Sequence, residues 1–388
     1  MNEASGSVTA PQATTGNAFG RVEEVAGKVE AVREWLEQRD LSGVLFSTQA
    51  NFAWITGGGQ SHVSIGDSAG VASVLVTRDA VAVLTSNIEA ARLVDEELQD
   101  VPIEVVTYEW HRQDPERPLV AERSDPARVV SDSSWAGLRN EGEALAHLRY
   151  TLSPTEIDRY RALGVDAAVS VEEASLSARP GDTEMEIAGR VAELCASRGI
   201  LPLVNLVAVD RRIAAYRHPI PTRARLERTL LVALTGRRAG LHASLTRMVH
   251  FGASDDELDS RHDAVTRVDA HMISASVPGA TLRDVFVRAV KRYEAEGFPG
   301  EWELHHQGGL TGYGGREIFA TPHSNHRLIE HQACAWNPSI TRVKSEDTII
   351  TTTQAPEVIT RTGKWPQKQV EINGSLLERP ALWKGEAG

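Results

Sequence analysis

From Val22 to Glu37 the apolar side chains recur at helical spacing, and Leu41-Ser-Gly-Val-Leu-Phe46 follows a turn as a short apolar run. The chain therefore opens with a helix and then a buried strand. Ala72 to Val76 and Ala80 to Leu84 predict a hairpin across Thr77-Arg-Asp79, Glu89 to Glu97 a helix, and Ile103 to Tyr108 a further strand. This alternation predicts a first α/β domain over residues 21–150. Ser153-Pro-Thr-Glu156 then carries a capping signature: Ser caps, Pro takes the first helical position and Glu reaches back. A long helix is expected from there to about Ala178, then Arg179-Pro-Gly-Asp-Thr183 and a second helix through Cys195 that stops at Gly199. The pattern returns later in the chain as a helix from Asp255 to Ala275, Val277-Pro-Gly-Ala-Thr281, and a helix ending at Gly297. Strand-like runs follow each unit, at Leu203 to Val209, Thr229 to Leu234 and Leu241 to Val249, then at His331 to Trp336 and Asp347 to Thr353. Residues 151–388 therefore read as one α+β domain built of two similar halves, with the strands in a shared sheet and helices on its outer face. A chance likeness of two common helix–turn–helix connections is the other reading of the repeat.

The 388-residue length suits two domains with proper cores. Fifty-three acidic against 41 basic residues give a formal charge of −12, which repels nucleic acid and anionic membranes. The arginines between Arg212 and Arg228 are interrupted by apolar and Pro residues, so they predict strand edges and a turn rather than a binding arm. Cys195 and Cys334 are too far apart in kind and place to suggest a disulfide framework or a zinc site, which fits a cytoplasmic compartment. The N-terminus lacks the basic and apolar regions of a signal peptide, and no apolar run approaches a membrane span. Residues 1–20, rich in Ser, Thr, Gly and Ala, are expected to be a disordered lead-in.

Six segments, in order, resemble the creatinase/Xaa-Pro-aminopeptidase ("pita-bread", peptidase M24) family. They are Asn51-Phe-Ala-Trp-Ile-Thr-Gly57, Ser153-Pro-Thr-Glu-Ile157, Arg217-His-Pro-Ile-Pro-Thr222, Gly240-Leu-His-Ala-Ser-Leu-Thr-Arg247, His305 to Glu317, and Ser345-Glu-Asp-Thr348. The resemblance implies a creatinase-type α/β N-terminal domain followed by an α+β pita-bread domain with an internal pseudo-two-fold repeat. It also implies a homodimer. Peptidases of the family hold two divalent metals with two Asp, one His and two Glu, a set that generates a bridging hydroxide. On that pattern Ala233 and Ser244 stand at the Asp positions and Asn337 at the first Glu, while His305 and Glu346 are kept. No dinuclear metal and no other cofactor is expected; a single ion on His305, Glu346 and either His242 or His306 stays open.

A dense polar cluster nevertheless surrounds the same spot: His305-His-Gln-Gly-Gly309, then Tyr313-Gly-Gly-Arg-Glu317. Its glycines would let a backbone approach a ligand closely, or simply form hairpin turns. The metal-free relative creatinase is similar in its His-x-x-Gly and Gly-Arg-Glu segments, with the same eleven-residue step from His305 to Arg316, and in a catalytic His that matches His218. It carries carboxylates where this chain has Thr246 and Asn337, which argues against creatine itself. The expected reaction is metal-independent hydrolysis of a carbon–nitrogen bond in a small carboxylate-bearing substrate. His218, His305, Glu346 and Glu317 are the candidate catalytic residues, and Arg316, Gln307, His306, Asn337 and Tyr313 the candidate substrate-binding ones. Asn51, Trp54 and His62 are candidates for a contribution from the first domain. An Xaa-Pro peptidase with an unusual metal site, and a catalytically inactive binding or scaffold protein, are the alternatives.

Overall fold

The computed structural model describes residues 18–385. Most of the expected lead-in lies outside the described residues. The first helix, Ala18–Gln38, starts a few residues ahead of its apolar pattern. It turns Val25, Val29, Val32, Trp35 and Leu36 into the core, the one-sided stripe that helical spacing demands. It covers a six-stranded mixed sheet whose central pair, Gly43–Thr48 and Ala69–Thr77, runs antiparallel. The hairpin forms as expected, with Val76 opposite Val81. The expected 89–97 helix departs from α geometry: one α turn, Ala90–Arg92, widens into a π-helical Leu93–Glu97. The wider turn brings both Leu93 and Leu98 inward, whereas Val94 stays exposed.

At the domain junction the helix Pro154–Ser177 begins with the expected capping box. Ser153 Oγ accepts from the Glu156 amide at 3.2 Å, and the Glu156 carboxylate accepts from the Ser153 amide at 2.7 Å. The same buried Glu156 accepts from Lys28 of the first domain at 2.7 Å and from the Tyr313 hydroxyl at 2.6 Å. A helix cap thus doubles as a post between the domains. Ser153→Ala is expected to cost about 1 kcal/mol, as loss of an N-cap does, read as a lower midpoint in chemical denaturation; an unchanged midpoint would deny the cap any part in stability.

The repeat of the second domain extends to individual hydrogen bonds. The helices Glu184–Ala196 and Leu282–Ala295 each open on a Thr capping box, at Thr183 and Thr281. The preceding glycines share one left-handed conformation, with φ of 100° at Gly181 and 96° at Gly279. Gly181 N donates to Leu226 O as Gly279 N does to Leu328 O, and Leu226 N donates to Asp182 O as Leu328 N does to Ala280 O. The likeness is therefore not a coincidence of connections.

One expectation is corrected. The two halves do not share a sheet: Leu201–Val209, Thr229–Arg238, Leu241–Phe251 and Trp383–Gly385 form one, and five strands including Gly308–Thr311, Ala333–Trp336 and Asp347–Ile350 form another. Among the described residues one isolated backbone bridge, Thr246 to Glu346, links them. The ladder stops there because the Thr348 hydroxyl takes over the next pair of groups, accepting from Ser244 N at 2.8 Å and donating to Ser244 O at 2.9 Å. The 212–228 stretch also differs, since Arg211–Ala215 is a short helix rather than a strand edge.

Candidate active site

The seam between the two sheets opens on a cavity of about 200 Å³. His218 reaches it from an irregular loop anchored at both ends. Arg217 donates to Glu301 at 2.6 Å and to Thr341 Oγ1 at 2.9 Å, and Glu184 accepts from Thr222 N and its hydroxyl at 2.8 and 2.7 Å. Pro219 and Pro221 stiffen the loop between those anchors. His305 follows the short 3₁₀ turn Glu301–Leu304, so Glu301 helps to position both imidazoles. The two Nε2 atoms stand 3.0 Å apart. His306 stacks on His305 with ring centroids 4.4 Å apart and meets the edge of Phe319.

Burial first, then the Lys344 ammonium and the neighbouring imidazoles, push His305 down to about 2. Burial, Arg316 and Lys344 push His306 to about 4. Burial and Lys344 lower His218 as well, although Glu346 opposes them. All three rings are therefore neutral near pH 7, and of the facing Nε2 atoms one donates its hydrogen and the other accepts.

Thr235, Arg316, Asn337, Lys344 and Glu346 complete the polar lining, with Val204, Leu206, Ala233 and Leu234 on the apolar side. Burial would raise the Glu346 carboxyl, but Lys344 and Arg316 overcome it and hold the group below the usual carboxylate range. Lys344 sits 2.8 Å from Glu346 and Thr246 Oγ1 donates to it at 2.7 Å, whereas Arg316 stands back at 3.7 Å. Arg316 Nε and Asn337 Oδ1 are buried with no hydrogen-bond partner among the described residues.

Sequence reasoning missed Lys344. The strand periodicity carried a signal for it, since residues 344 and 346 lie two apart and project to one side.

Three candidates face elsewhere. Gln307 Nε2 donates to Trp302 O and His305 O, and its Oε1 accepts from Tyr293, so the amide braces the His305 backbone. The Tyr313 hydroxyl is spent on Glu156 at the domain seam. Glu317 accepts from Arg149 at 2.8 and 2.6 Å and from Gly314 N at 2.7 Å, and Arg149 continues to Asn51 of the first domain. These three position the site rather than line it. Gly308 and Gly309 likewise serve packing, for a Cβ on either would fall 2.1 Å from Ala335 O or 2.0 Å from Ile318 O. Asn51, Trp54 and His62 do not line the cavity. Trp336 points into the core and donates to Ser276.

The dinuclear metal centre that the family resemblance implies does not fit these residues. Across the hairpin, Ala233 lies opposite Thr246 and Thr235 opposite Ser244, so this face carries four short uncharged side chains. Glu346 is the one carboxylate of the cavity, and Lys344 and Arg316 already neutralise it. Two dications at 4 Å would repel by roughly four times the ~4 kcal/mol of two unit charges at an effective dielectric of 20, with only the already neutralised Glu346 to offset it. One nitrogen from each of His218, His305 and His306 lies within 4.8 Å of the others, a spacing that could gather a single ion. Lys344 and Arg316 beside the trio oppose a further positive charge.

No helix among the described residues is long and apolar enough to cross a membrane. The prolidase from Pyrococcus horikoshii superposes with a TM-score of 0.73 at 19% identity, covering 87% of this chain and 98% of that one. The dipeptidase PepE from Mycobacterium ulcerans gives 0.73 at 16% identity over 94% and 99%. An uncharacterized peptidase of Staphylococcus aureus, MW1651, is 25% identical over 229 residues, which span 56% of this chain but only 64% of that relative. The family model of metallopeptidase family M24 matches residues 159–353, half of the chain and all of the cavity's lining. With its pita-bread domain, its helix-cap repeat and that match, the chain belongs to metallopeptidase family M24.

Proposed function

We propose that the protein is a metal-independent hydrolase that cleaves a carbon–nitrogen bond, an amidine, cyclic amidine or amide, in a small carboxylate-bearing substrate. The observation that carries this is the neutral His218–His305 pair, 3.0 Å between Nε2 atoms, beside a cavity where two cationic side chains surround a single carboxylate. In the proposed reaction His218 takes a proton from water as the water oxygen bonds to the carbon, then returns it to the leaving nitrogen as the C–N bond breaks. His305 holds the reactive tautomer of His218. Arg316 binds the substrate carboxylate through its planar fork, His306 and Asn337 orient the scissile group, and Glu346 fixes Lys344. Gln307, Tyr313 and Glu317 act by positioning. A homodimer in a cytoplasmic setting goes with this reading.

A second reading, a peptidase working with a single ion, is favoured by the closeness of the three imidazoles and by the names prolidase and dipeptidase of the structural relatives. Elemental analysis of purified protein, with turnover assayed in EDTA, separates the two. The expected outcome is less than a tenth of an equivalent of transition metal and unchanged activity in chelator. A tightly bound equivalent, with activity lost on its removal, would sink metal independence. A scaffold would keep its partner after His218→Ala and Arg316→Ala, whereas an enzyme would lose turnover.

A further inference from the structure

The cavity's charge balance narrows the substrate further than the proposed reaction does. Its lining holds two cations, Arg316 and Lys344, against one anion, Glu346. Glu346 is outnumbered in charge: Lys344 at 2.8 Å and the Thr246 hydroxyl at 2.7 Å both engage its Oε2, and Arg316 faces its Oε1 from 3.7 Å, on a carboxylate that is almost fully buried. The positions from which a further carboxylate would face the cavity, Ala233 and Asn337, are uncharged. A guanidinium, a protonated amidine or a free α-ammonium would therefore enter a site of net positive charge whose one carboxylate already faces two cations, and its desolvation would go largely uncompensated.

An anion meets the opposite situation. Arg316 is held to Glu346 only loosely, and its Nε is buried without a partner. Lys344 can contribute its charge from the other side of Glu346. Asn337 Oδ1, also without a partner, suits the N–H of an amide. Val204, Leu206, Ala233 and Leu234 offer an apolar wall to an acyl group. The volume, about 200 Å³, lies below the roughly 300–1,000 Å³ of pockets that hold drug-sized ligands, which suits a ligand of few heavy atoms.

We infer that Arg316 and Lys344 form a two-cation anion subsite, and that the ligand is a small monoanion with an uncharged amide, of the N-acyl amino acid type, rather than a cationic amidine or a peptide with a free amino terminus. The inference rests on the hydrolytic reading only for what happens after binding: water adds to the amide carbon, the C–N bond breaks, and a carboxylate and an amino acid leave.

The test is calorimetric titration of the full-length His218→Ala protein, which removes turnover. The probes are N-formyl, N-acetyl and N-propionyl glycine, alanine and β-alanine, the matching free-amine dipeptides, and creatine. At least one N-acyl monoanion should bind at least tenfold more tightly than its free-amine counterpart and than creatine. Lys344→Met and Arg316→Met should each weaken it at least tenfold, and Lys344→Arg should restore most of the loss at an unchanged melting temperature. No binding by any monoanion, equal or tighter binding of the zwitterions or creatine, or an unaltered affinity in Lys344→Met would overturn the inference. Monoanion binding without hydrolysis by the wild-type protein would leave the subsite standing and sink the hydrolase; turnover of a cationic amidine would do the reverse.

Discussion

Replacing His218 with alanine should lower kcat by about 10² to 10⁴, the range that one positioned acid–base group contributes, with the fold intact. The fold should survive because His218 is exposed and the loop around it is held by other residues: Arg217 on Glu301 and Thr222 on Glu184. A variant that fails to melt like the wild type would point to a structural role instead. The pH profile supplies a second readout. Partial desolvation of its ring and Lys344 lower His218, so its base form persists to more acidic solution than an ordinary histidine's. The acid limb of kcat/KM should therefore lie below 6.5 in the wild type. Lys344→Met removes a positive charge and frees Glu346, and both changes favour the imidazolium, so the limb should move to higher pH. A limb that stays put would separate His218 from the titration that governs the rate.

Much of the scaffold was legible because its signals are local. Ser153, Thr183 and Thr281 each cap a helix with the acid three residues on, so four residues of sequence contain the whole device. The Pro-Gly turns required left-handed glycines, and Gly181 and Gly279 adopt that conformation. The division into two sheets was not legible, because it turns on the Thr348 side chain displacing a main-chain pair of Ser244 about a hundred residues away. The C-terminal hairpin has a local signal too, Asn373-Gly374, a strong two-residue turn.

The site divides along the same line. Residue type and family order brought His218, His305, His306, Arg316, Asn337 and Glu346 to one place, and the structure assembles all six. For Gln307, Tyr313 and Glu317 the sequence displays polar groups but not what already satisfies them. Their partners, Tyr293, Glu156 and Arg149, come from other elements or the other side of the domain seam. A polar cluster in sequence thus overstates a site by the number of its members that are hydrogen-bonded elsewhere. Lys344 shows the converse, since a lone lysine carries no motif and gains meaning only when Glu346 and the cavity surround it.

Arg379→Ala should cost about 3–5 kcal/mol of stability, the penalty of leaving buried charge uncompensated. Arg379 is fully buried and donates to Asp269 through Nε at 3.0 Å and to Asp347 at 2.6 Å. Around them stand one more cation, Arg247, and one more anion, Glu172, so removing Arg379 leaves three carboxylates facing one guanidinium. Burial already raises Asp269 above the ordinary aspartate range despite Arg379, and without that partner the group would keep only the Ser345 hydroxyl against the cost of burial. The loss would reach the active site because Ser345, bonded to Asp269 at 2.5 Å, and Asp347 bracket Glu346 in the chain. Urea denaturation should show the lower midpoint, and the surviving folded fraction should bind N-acyl monoanions more weakly as Glu346 loosens its hold on Lys344 and Arg316. The double variant Arg379→Met with Asp269→Leu should recover a large part of the stability, since it removes a charge of each sign and leaves Asp347 to Arg247 and Thr360. If the single variant lost under 1 kcal/mol, the buried network would not be what holds the C-terminal hairpin against the strand that carries the site.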